Sequence, residues 1–252
     1  MITALIIARD EAENIVPCLQ SLRGLADDIL VAVDSRSRDA TLELARENGA
    51  RALVVEWKGY GATKNQILVQ AKGDWVLWID ADERMTPELA AEIRSALAVE
   101  PGVAAFSIPR KAFFLGRWIR HCGWYPGYVT RLFRKGKAHF SERSVHEGLE
   151  VQGATAKLRH PLLHYTDPCL AHYLKKLNHY TTLAAGELYG RGRRARIFDL
   201  AVRPGWFFFR NYILRLGFLD GTPGLLLCVF SGYSVLIKYL KLKELWERQG
   251  RT

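Results

Sequence analysis

The sequence predicts an α/β fold: a mostly parallel sheet flanked by helices, followed by a helical extension. Three observations predict it. Short apolar runs rich in β-branched residues alternate with amphipathic segments from residue 2 to about 95, and that β-α-β-α-β-α-β order is the pattern of a parallel, doubly wound sheet. The fourth run, 74–79, ends in Asp80-Ala81-Asp82-Glu83, so a buried strand leaves the core at a group of carboxylates. From about residue 168, apolar side chains recur at three- and four-residue steps, which is helical spacing. The expected division is 1–167 for the sheet domain and 168–252 for a helical, basic and aromatic-rich extension.

The first apolar run covers 2–8 and is followed by Arg9-Asp10-Glu11 and a helix over roughly 12–24. The second, 28–33, ends at Asp34-Ser35-Arg36-Ser37-Arg38-Asp39, before a helix from about 40 to 48 that Gly49 stops. A third strand, 51–56, leads through Gly59-Tyr60-Gly61 into a helix over 62–72. After the fourth strand, Pro87 opens a helix to about 95, and 103–108 reads as a further strand. Strand ends gather along one edge of such a sheet, so Asp10, Glu11, Asp34, Asp80 and Asp82 are expected in one crevice. Asp80 and Asp82, two apart, would share a face of an extended strand. Paired carboxylates repel unless a cation lies between them, and a hard divalent ion carrying phosphates suits oxygen ligands. An acidic turn capping the next helix is the alternative.

Composition sets further bounds. At 252 residues and 49% apolar content, the chain can bury one large domain with an extension. The net charge of +10 is segregated: residues 1–150 hold 20 Lys and Arg against 20 Asp and Glu, and residues 151–252 hold 16 against 6. A basic region of this kind suits an anionic partner, either nucleic acid or an acidic membrane surface. Cys18, Cys122, Cys169 and Cys228 are far apart and form no C-x-x-C, which argues against a zinc site and for a reducing compartment. The opening Met1-Ile2-Thr3-Ala4 lacks a basic stretch and reads as a first strand, not a signal peptide. The absence of G-x-G-x-x-G after that strand weakens a dinucleotide-binding oxidoreductase.

Several motifs together resemble a known family. Ala4-Leu5-Ile6-Ile7-Ala8-Arg9-Asp10-Glu11, Val33-Asp34-Ser35, Gly61-Ala62-x-Lys64-Asn65 and Gly73-Asp74-Trp75 through Asp80-Ala81-Asp82-Glu83 resemble family 2 glycosyltransferases of the GT-A (Rossmann-like) fold. Phe114-Leu115-Gly116-Arg117-Trp118, Trp124-Tyr125-Pro126, Arg131-Leu132-Phe133-Arg134, Val145-His146-Glu147 and Phe218-Leu219-Asp220-Gly221 resemble the subgroup that adds glucose to the lipopolysaccharide or lipooligosaccharide inner core. The resemblance implies a metal-dependent inverting transfer of a hexose, glucose in the subgroup, from a UDP-sugar to a lipid-linked saccharide. It implies Mn²⁺ or Mg²⁺ on Asp82, with Asp80 on ribose or metal. His164, after the apolar run Leu162-Leu163, is a candidate third ligand, since a neutral imidazole can join carboxylates at a metal. Asp34 would read the uracil imide, Ala8 and Glu11 would flank base and ribose, and Lys64 would neutralise the phosphates. Arg131 and Trp124 would serve the donor or acceptor pocket, and His146 would touch the diphosphate or metal. Glu147 is the expected base that takes the acceptor hydroxyl's proton, with Asp167 and Glu142 as fallbacks. One departure stands out: the subgroup carries Asp-Ser-Gly-Ser-Thr-Asp where this chain has Asp34-Ser35-Arg36-Ser37-Arg38-Asp39, and arginine resists the positive φ that glycine allows.

In the last third, a helix is expected over 170–189, a basic turn over 190–196, and another helix beginning at Pro204-Gly205-Trp206. Residues 224–237 are nearly all apolar and precede Lys238, Lys241 and Lys243. Fourteen residues make about 21 Å of helix, less than a hydrocarbon layer, so peripheral attachment to the inner face of the cytoplasmic membrane is expected rather than a span. A helix buried on the first domain, or on another subunit of a homo-oligomer, is the alternative. Two other functions compete: a nucleotidyltransferase of similar sheet, and a basic nucleic-acid-binding protein. The second lacks any recognised nucleic-acid motif.

Overall fold

The computed structural model describes residues 1–99, 102–141 and 148–249. The chain forms two compact units, Met1–Lys111 with Gly127–His164, and Ala112–Pro126 with Tyr165–Thr252.

The first unit opens with β1 (Ile2–Ala8), α1 (Ala12–Leu22), β2 (Asp28–Asp34), α2 (Thr41–Glu47), β3 (Arg51–Val55), α3 (Tyr60–Leu68) and β4 (Trp75–Trp78). It continues through β5 (Glu83–Arg84), α4 (Pro87–Val99) and β6 (Val103–Phe114). The strands β7 (Arg117–Trp118), β8 (Gly127–Arg134), β9 (Ala138–Phe140), β10 (Leu149–Val151), β11 (Ala154–Lys157) and β12 (Leu162–Asp167) follow in the chain. The main sheet runs β3-β2-β1-β4-β8-β6-β12-β5. Its first four strands are parallel, and β8 then joins β4 antiparallel.

Alternation explains why both faces of these strands are apolar. In β1, Ala4, Ile6 and Ala8 enter one core cluster with α1 and α4, while Leu5 enters a second cluster on the other face with Ile67 of α3. In β4, Trp75 and Leu77 share the first cluster, and Val76 and Trp78 share the second. A strand covered on both faces reads as a continuous apolar run. The turn into β4 requires glycine: a Cβ on Gly73 would come within 2.6 Å of the Met1 carbonyl oxygen. The Gly73 and Lys72 amides both donate to the buried Thr3 hydroxyl there.

The strand ends earlier than its apolar run. Asp80, Ala81 and Asp82 lie in a turn in which the Glu83 amide donates to the Asp80 carbonyl at 3.0 Å. The expectation that Asp80 and Asp82 share a strand face is thus replaced by a turn that holds both at the strand's carboxyl end.

The second unit holds α5 (Leu170–Gly190), α6 (Ile197–Phe209), a π-helical turn (Arg210–Leu214), a 3-10 turn (Gly217–Asp220) and α7 (Gly221–Gln249). Phe114, Ile119, Cys122, Leu227 and Cys228 form one of its cores, and Ala185, Val235, Tyr239 and Leu242 form another. Here α6 begins seven residues before the expected start and carries Pro204 inside it. Asp199 supplies the missing start signal, since its carboxylate accepts from the Arg196 amide at 3.0 Å and pairs with Arg203 at 2.8 Å. Gly232 of α7 meets the Pro204 carbonyl, where a Cβ would come within 2.7 Å. The apolar run 224–237 is part of a 29-residue helix, about 44 Å long. Among the described residues, 217–248 is the one helical stretch long and apolar enough to cross a membrane, and a third of its apolar window is buried.

Candidate active site

The carboxyl ends of β1, β2 and β4 carry the polar groups, and cross-strand register brings others to them. β12 pairs antiparallel with β5, placing His164 opposite Glu83. That register sets His164 Nε2 3.2 Å from Asp82 Oδ2. β8 pairs Leu132 with Leu77, so Arg131 falls one step further, beside the end of β4. The Arg131 guanidinium donates to the Asp80 carboxylate and to Glu83 Oε1, the latter at 2.7 Å.

Glu83 is fully buried, and its other oxygen accepts from the Asp80 amide at 3.0 Å. Burial pushes the Glu83 carboxyl upward, against the pull of Arg131. Burial also works to raise Asp80, but the charge and hydrogen bond of Arg131, helped by Lys64 and His164, outweigh it and hold that carboxyl below its usual range. Arg131, expected in a substrate pocket, therefore serves first as the counter-ion that fixes Asp80. Its Nε is buried without a hydrogen-bond partner among the described residues. Arg131 also lines a cavity of about 230 Å³ with Lys64, Trp78, Thr130 and Phe140. Lys64 lies over the rings of Trp78 and Phe140 at 4.9 and 5.1 Å. A cavity with an ammonium, a guanidinium and aromatic walls suits an anionic sugar derivative.

Glu11 opens α1 beside the same carboxylates. Burial raises its carboxyl, the Asn14 amide opposes the rise, and the negative fields of Asp82, Asp80 and Asp39 add to it. Asn14 donates to Glu11 at 2.8 Å and accepts from Arg84 at 3.3 Å. The Cys18 thiol donates to the Asp80 carbonyl, and burial pushes it up to about 12, which makes it a neutral packing group.

The loop after β2 is stitched to the end of β1. The Asp10 amide donates to Ser37, Glu11 to Thr41, and Ala12 to Asp39, each near 2.9 Å. The positive φ in this region falls on Asp10, so Arg36 stands where the subgroup has glycine without adopting a left-handed backbone. Its side chain grips Asp34 in a fork, Nε to Oδ1 at 2.9 Å and Nη2 to Oδ2 at 2.6 Å. Asp34 is 2% exposed beneath it. That hydrogen bond, with lesser help from the Arg36 amide and charge, holds the Asp34 carboxyl below its usual range against burial.

Of the other sequence-predicted residues, Ala8 is packed into the core at the end of β1. Trp124 belongs to the second unit, edge-on to Phe114 at 6.3 Å between centroids. Asp167 is also there, buried and paired with Lys176 at 3.3 Å and His172 at 3.4 Å. His146, Glu147 and Glu142 lie outside the described residues. Sequence reasoning passed over Glu83 as a site residue, although a third carboxylate directly after Asp-x-Asp was a visible signal.

The metal expectation can be tested on donor chemistry. Among the described residues no group of three His, Cys, Asp or Glu closes a metal cage. The Asp82–His164 pair does present a carboxylate oxygen and an imidazole nitrogen 3.2 Å apart. Adjacent ligands on an octahedral ion at about 2.1 Å are about 3.0 Å apart. The pair fits two neighbouring positions of such an ion and leaves the rest to a ligand's oxygens.

Residues 3–150 match the family model described as glycosyl transferase family 2. The chain belongs to that family. This family 2 member is 29% identical over 266 residues to the lipopolysaccharide core biosynthesis glycosyltransferase LpsC of Rhizobium meliloti, covering 99% of this chain and 93% of that protein. It is 28% identical over 255 residues to an uncharacterised glycosyltransferase of Rickettsia bellii, covering 97% and 86%. Among solved structures, the mannosyltransferase PcManGT of Pyrobaculum calidifontis, in complex with GDP-Man and Mn²⁺, superposes with a TM-score of 0.54 at 15% identity, covering 98% of this chain and 87% of that one. The fold is that of GT-A glycosyltransferases, as the sequence implied.

Proposed function

We infer that this glycosyltransferase moves a hexose from a UDP-sugar, glucose by its subgroup resemblance, to a lipid-linked saccharide such as lipopolysaccharide core, with inversion and with Mn²⁺ or Mg²⁺. One observation carries the reading: the turn after β4 presents Asp82 paired with His164 while Arg131 anchors Asp80 beside them. The similarity to a lipopolysaccharide core glycosyltransferase supports the acceptor class.

Asp82 and His164 would hold the cation, whose positive charge favours departure of the diphosphate. Lys64 and the Arg131-anchored Asp80 would position the phosphates and ribose at the cavity between Trp78 and Phe140. Asp34, with Ala8 at the end of neighbouring β1 and Glu11 just beyond it, would seat the base and ribose. A carboxylate, Glu147 in our reading, takes the acceptor hydroxyl's proton as that oxygen bonds to the anomeric carbon. The bond from that carbon to the diphosphate breaks on the opposite face, and UDP leaves. Asp167 is less suited to this role, because Lys176 already pairs with it. Family membership leaves the nucleotidyltransferase and nucleic-acid-binding alternatives without support.

The test is UDP release from UDP-glucose, UDP-galactose, UDP-N-acetylglucosamine and GDP-mannose, with Mn²⁺ or Mg²⁺ and a truncated lipopolysaccharide acceptor. We expect turnover with UDP-glucose, lost on chelation and reduced roughly a hundredfold or more in Asp82→Ala. Turnover with GDP-mannose alone would move the donor to another nucleotide, and equal turnover in Asp82→Ala would remove the metal site.

A further inference from the structure

The sequence pointed to 224–237 and its trailing lysines as the membrane-facing part. Within the second unit, part of that helix is committed elsewhere. Leu227, Cys228, Val235, Tyr239 and Leu242 of α7 are buried in the two cores. Lys241 donates to Asn178, Thr181 and Thr182 of α5 at 2.7–2.9 Å. Leu225, Val229, Tyr233 and Leu240 of α7 are 38–46% exposed, and α6 with the turns after it carries the more exposed apolar set.

Phe198, Val202, Trp206 and Phe209 are each 44–57% exposed. At 100° per residue their directions fall within an arc of about 80°, so they form one stripe along α6. Phe198, Val202 and Trp206 flank an apolar trough of about 520 Å³. Leu214 and Leu219, in the turns beyond α6, are each 57% exposed and continue the apolar surface in sequence. Scattered exposed apolar residues are normal, but a contiguous stripe of this size marks an interaction surface.

Charge identifies the partner. Residues 191–215 contain seven arginines and one acidic residue, Asp199. Asp199 is buried and paired with Arg203, which leaves six arginines to set the field outside. Arg191, Arg193, Arg194 and Arg196 are exposed in the turn that leads into α6. A helix with an aromatic and aliphatic stripe, next to a cluster of exposed arginines, matches the boundary of an anionic bilayer, where rings enter the acyl region and guanidinium groups meet phosphates.

We propose that α6 and the turns through Leu219 form an in-plane anchor that seats this protein on anionic lipid, with α7 as its internal support rather than as a span. The proposal deepens the lipid-linked acceptor reading, because it brings the chain to the surface where such an acceptor lies. Its physics does not depend on that reading.

The test is flotation of the full chain with vesicles of phosphatidylcholine alone and of phosphatidylcholine with 30% phosphatidylglycerol, at low and high salt. The wild type should float with the anionic vesicles at least tenfold better than with the neutral ones, and salt should weaken it. Phe198→Ser/Trp206→Ser/Phe209→Ser should lose at least tenfold in partitioning. Arg193→Gln/Arg194→Gln/Arg196→Gln should lose the preference for anionic lipid, at about fivefold per arginine. Both variants should keep the wild-type unfolding midpoint and UDP affinity, which shows that they fold. Floating of the apolar variant as well as the wild type would overturn the proposal. So would failure of the wild type to float, including the case in which a sizing column shows a dimer that the apolar variant dissociates. UDP binding measured on the same samples separates this outcome from the catalytic reading, since either can fail while the other stands.

Discussion

Asp34 lies under a guanidinium that the subgroup lacks. To accept a base imide, it must share or release the charge-assisted fork from Arg36. Arg36→Gly should therefore expose the carboxylate and tighten UDP binding by about tenfold, read by calorimetry. Weaker binding would instead make Arg36 part of the base's seat. Arg131 makes the opposite case. It pairs with Asp80 and the buried Glu83 together, so Arg131→Ala removes the counter-ion they share and should destabilise the fold by about 3–5 kcal/mol. A denaturant midpoint close to wild type would show that the pair relaxes without it. The residue types were legible in the sequence, because carboxylates at apolar strand ends are a local pattern. The partners were not, because Arg131 and His164 reach the turn through antiparallel register far along the chain. The loop after Asp34 shows the same limit: its shape depends on bonds from Ser37 and Asp39 to residues 10–12, which no single segment reveals.

The strand-helix alternation was readable for a physical reason. β1, β2 and β4 are covered on both faces, and α1 and α4 carry one apolar face each, so period and length separate them. Reading failed where tertiary contacts decide. The apolar run through Ile79 suggested a longer strand, yet β4 stops at Trp78 because the chain turns to pair β5 with β12. Pro204 suggested a helix start, yet the Asp199 cap begins α6 earlier and the proline lies within it. At the other end of the sheet, Asp28 clips β2 to β3 through Arg51, at 2.7 and 2.9 Å. Hydrogen bonds from Arg51, with further help from Thr3, hold the Asp28 carboxyl below its ordinary value of 3.8 against burial. Because the folded value lies below the unfolded one, the clip stabilises fully above about pH 4 and is lost as pH falls through the folded value. Arg51→Ala should therefore cost about 1 kcal/mol at pH 7 and progressively less as pH falls below about 4. Stability curves of the two proteins that stay equally spaced down to pH 2 would contradict this.

At the scale of the whole chain, charge and function divide in the same way. The neutral first 150 residues carry the family match and the carboxylate site, and the positive excess lies in the remainder. That division was plain in the sequence, because composition needs no contacts to be read. The grouping of Ala112–Pro126 with the C-terminal helices was not, since those residues reach Leu227 and Cys228 only through the folded core. In our reading the chain as a whole combines a candidate sugar-nucleotide site with a basic, apolar region proposed to meet lipid. The central claim is that Asp82 and His164 together hold a cation against a nucleotide diphosphate. Mn²⁺ titration in the presence of UDP, followed by electron paramagnetic resonance, tests it most directly. The wild type should bind Mn²⁺ more tightly with UDP than without, and His164→Ala and Asp82→Ala should each weaken that binding at least tenfold while remaining folded; equal Mn²⁺ affinity in all three proteins would contradict the account.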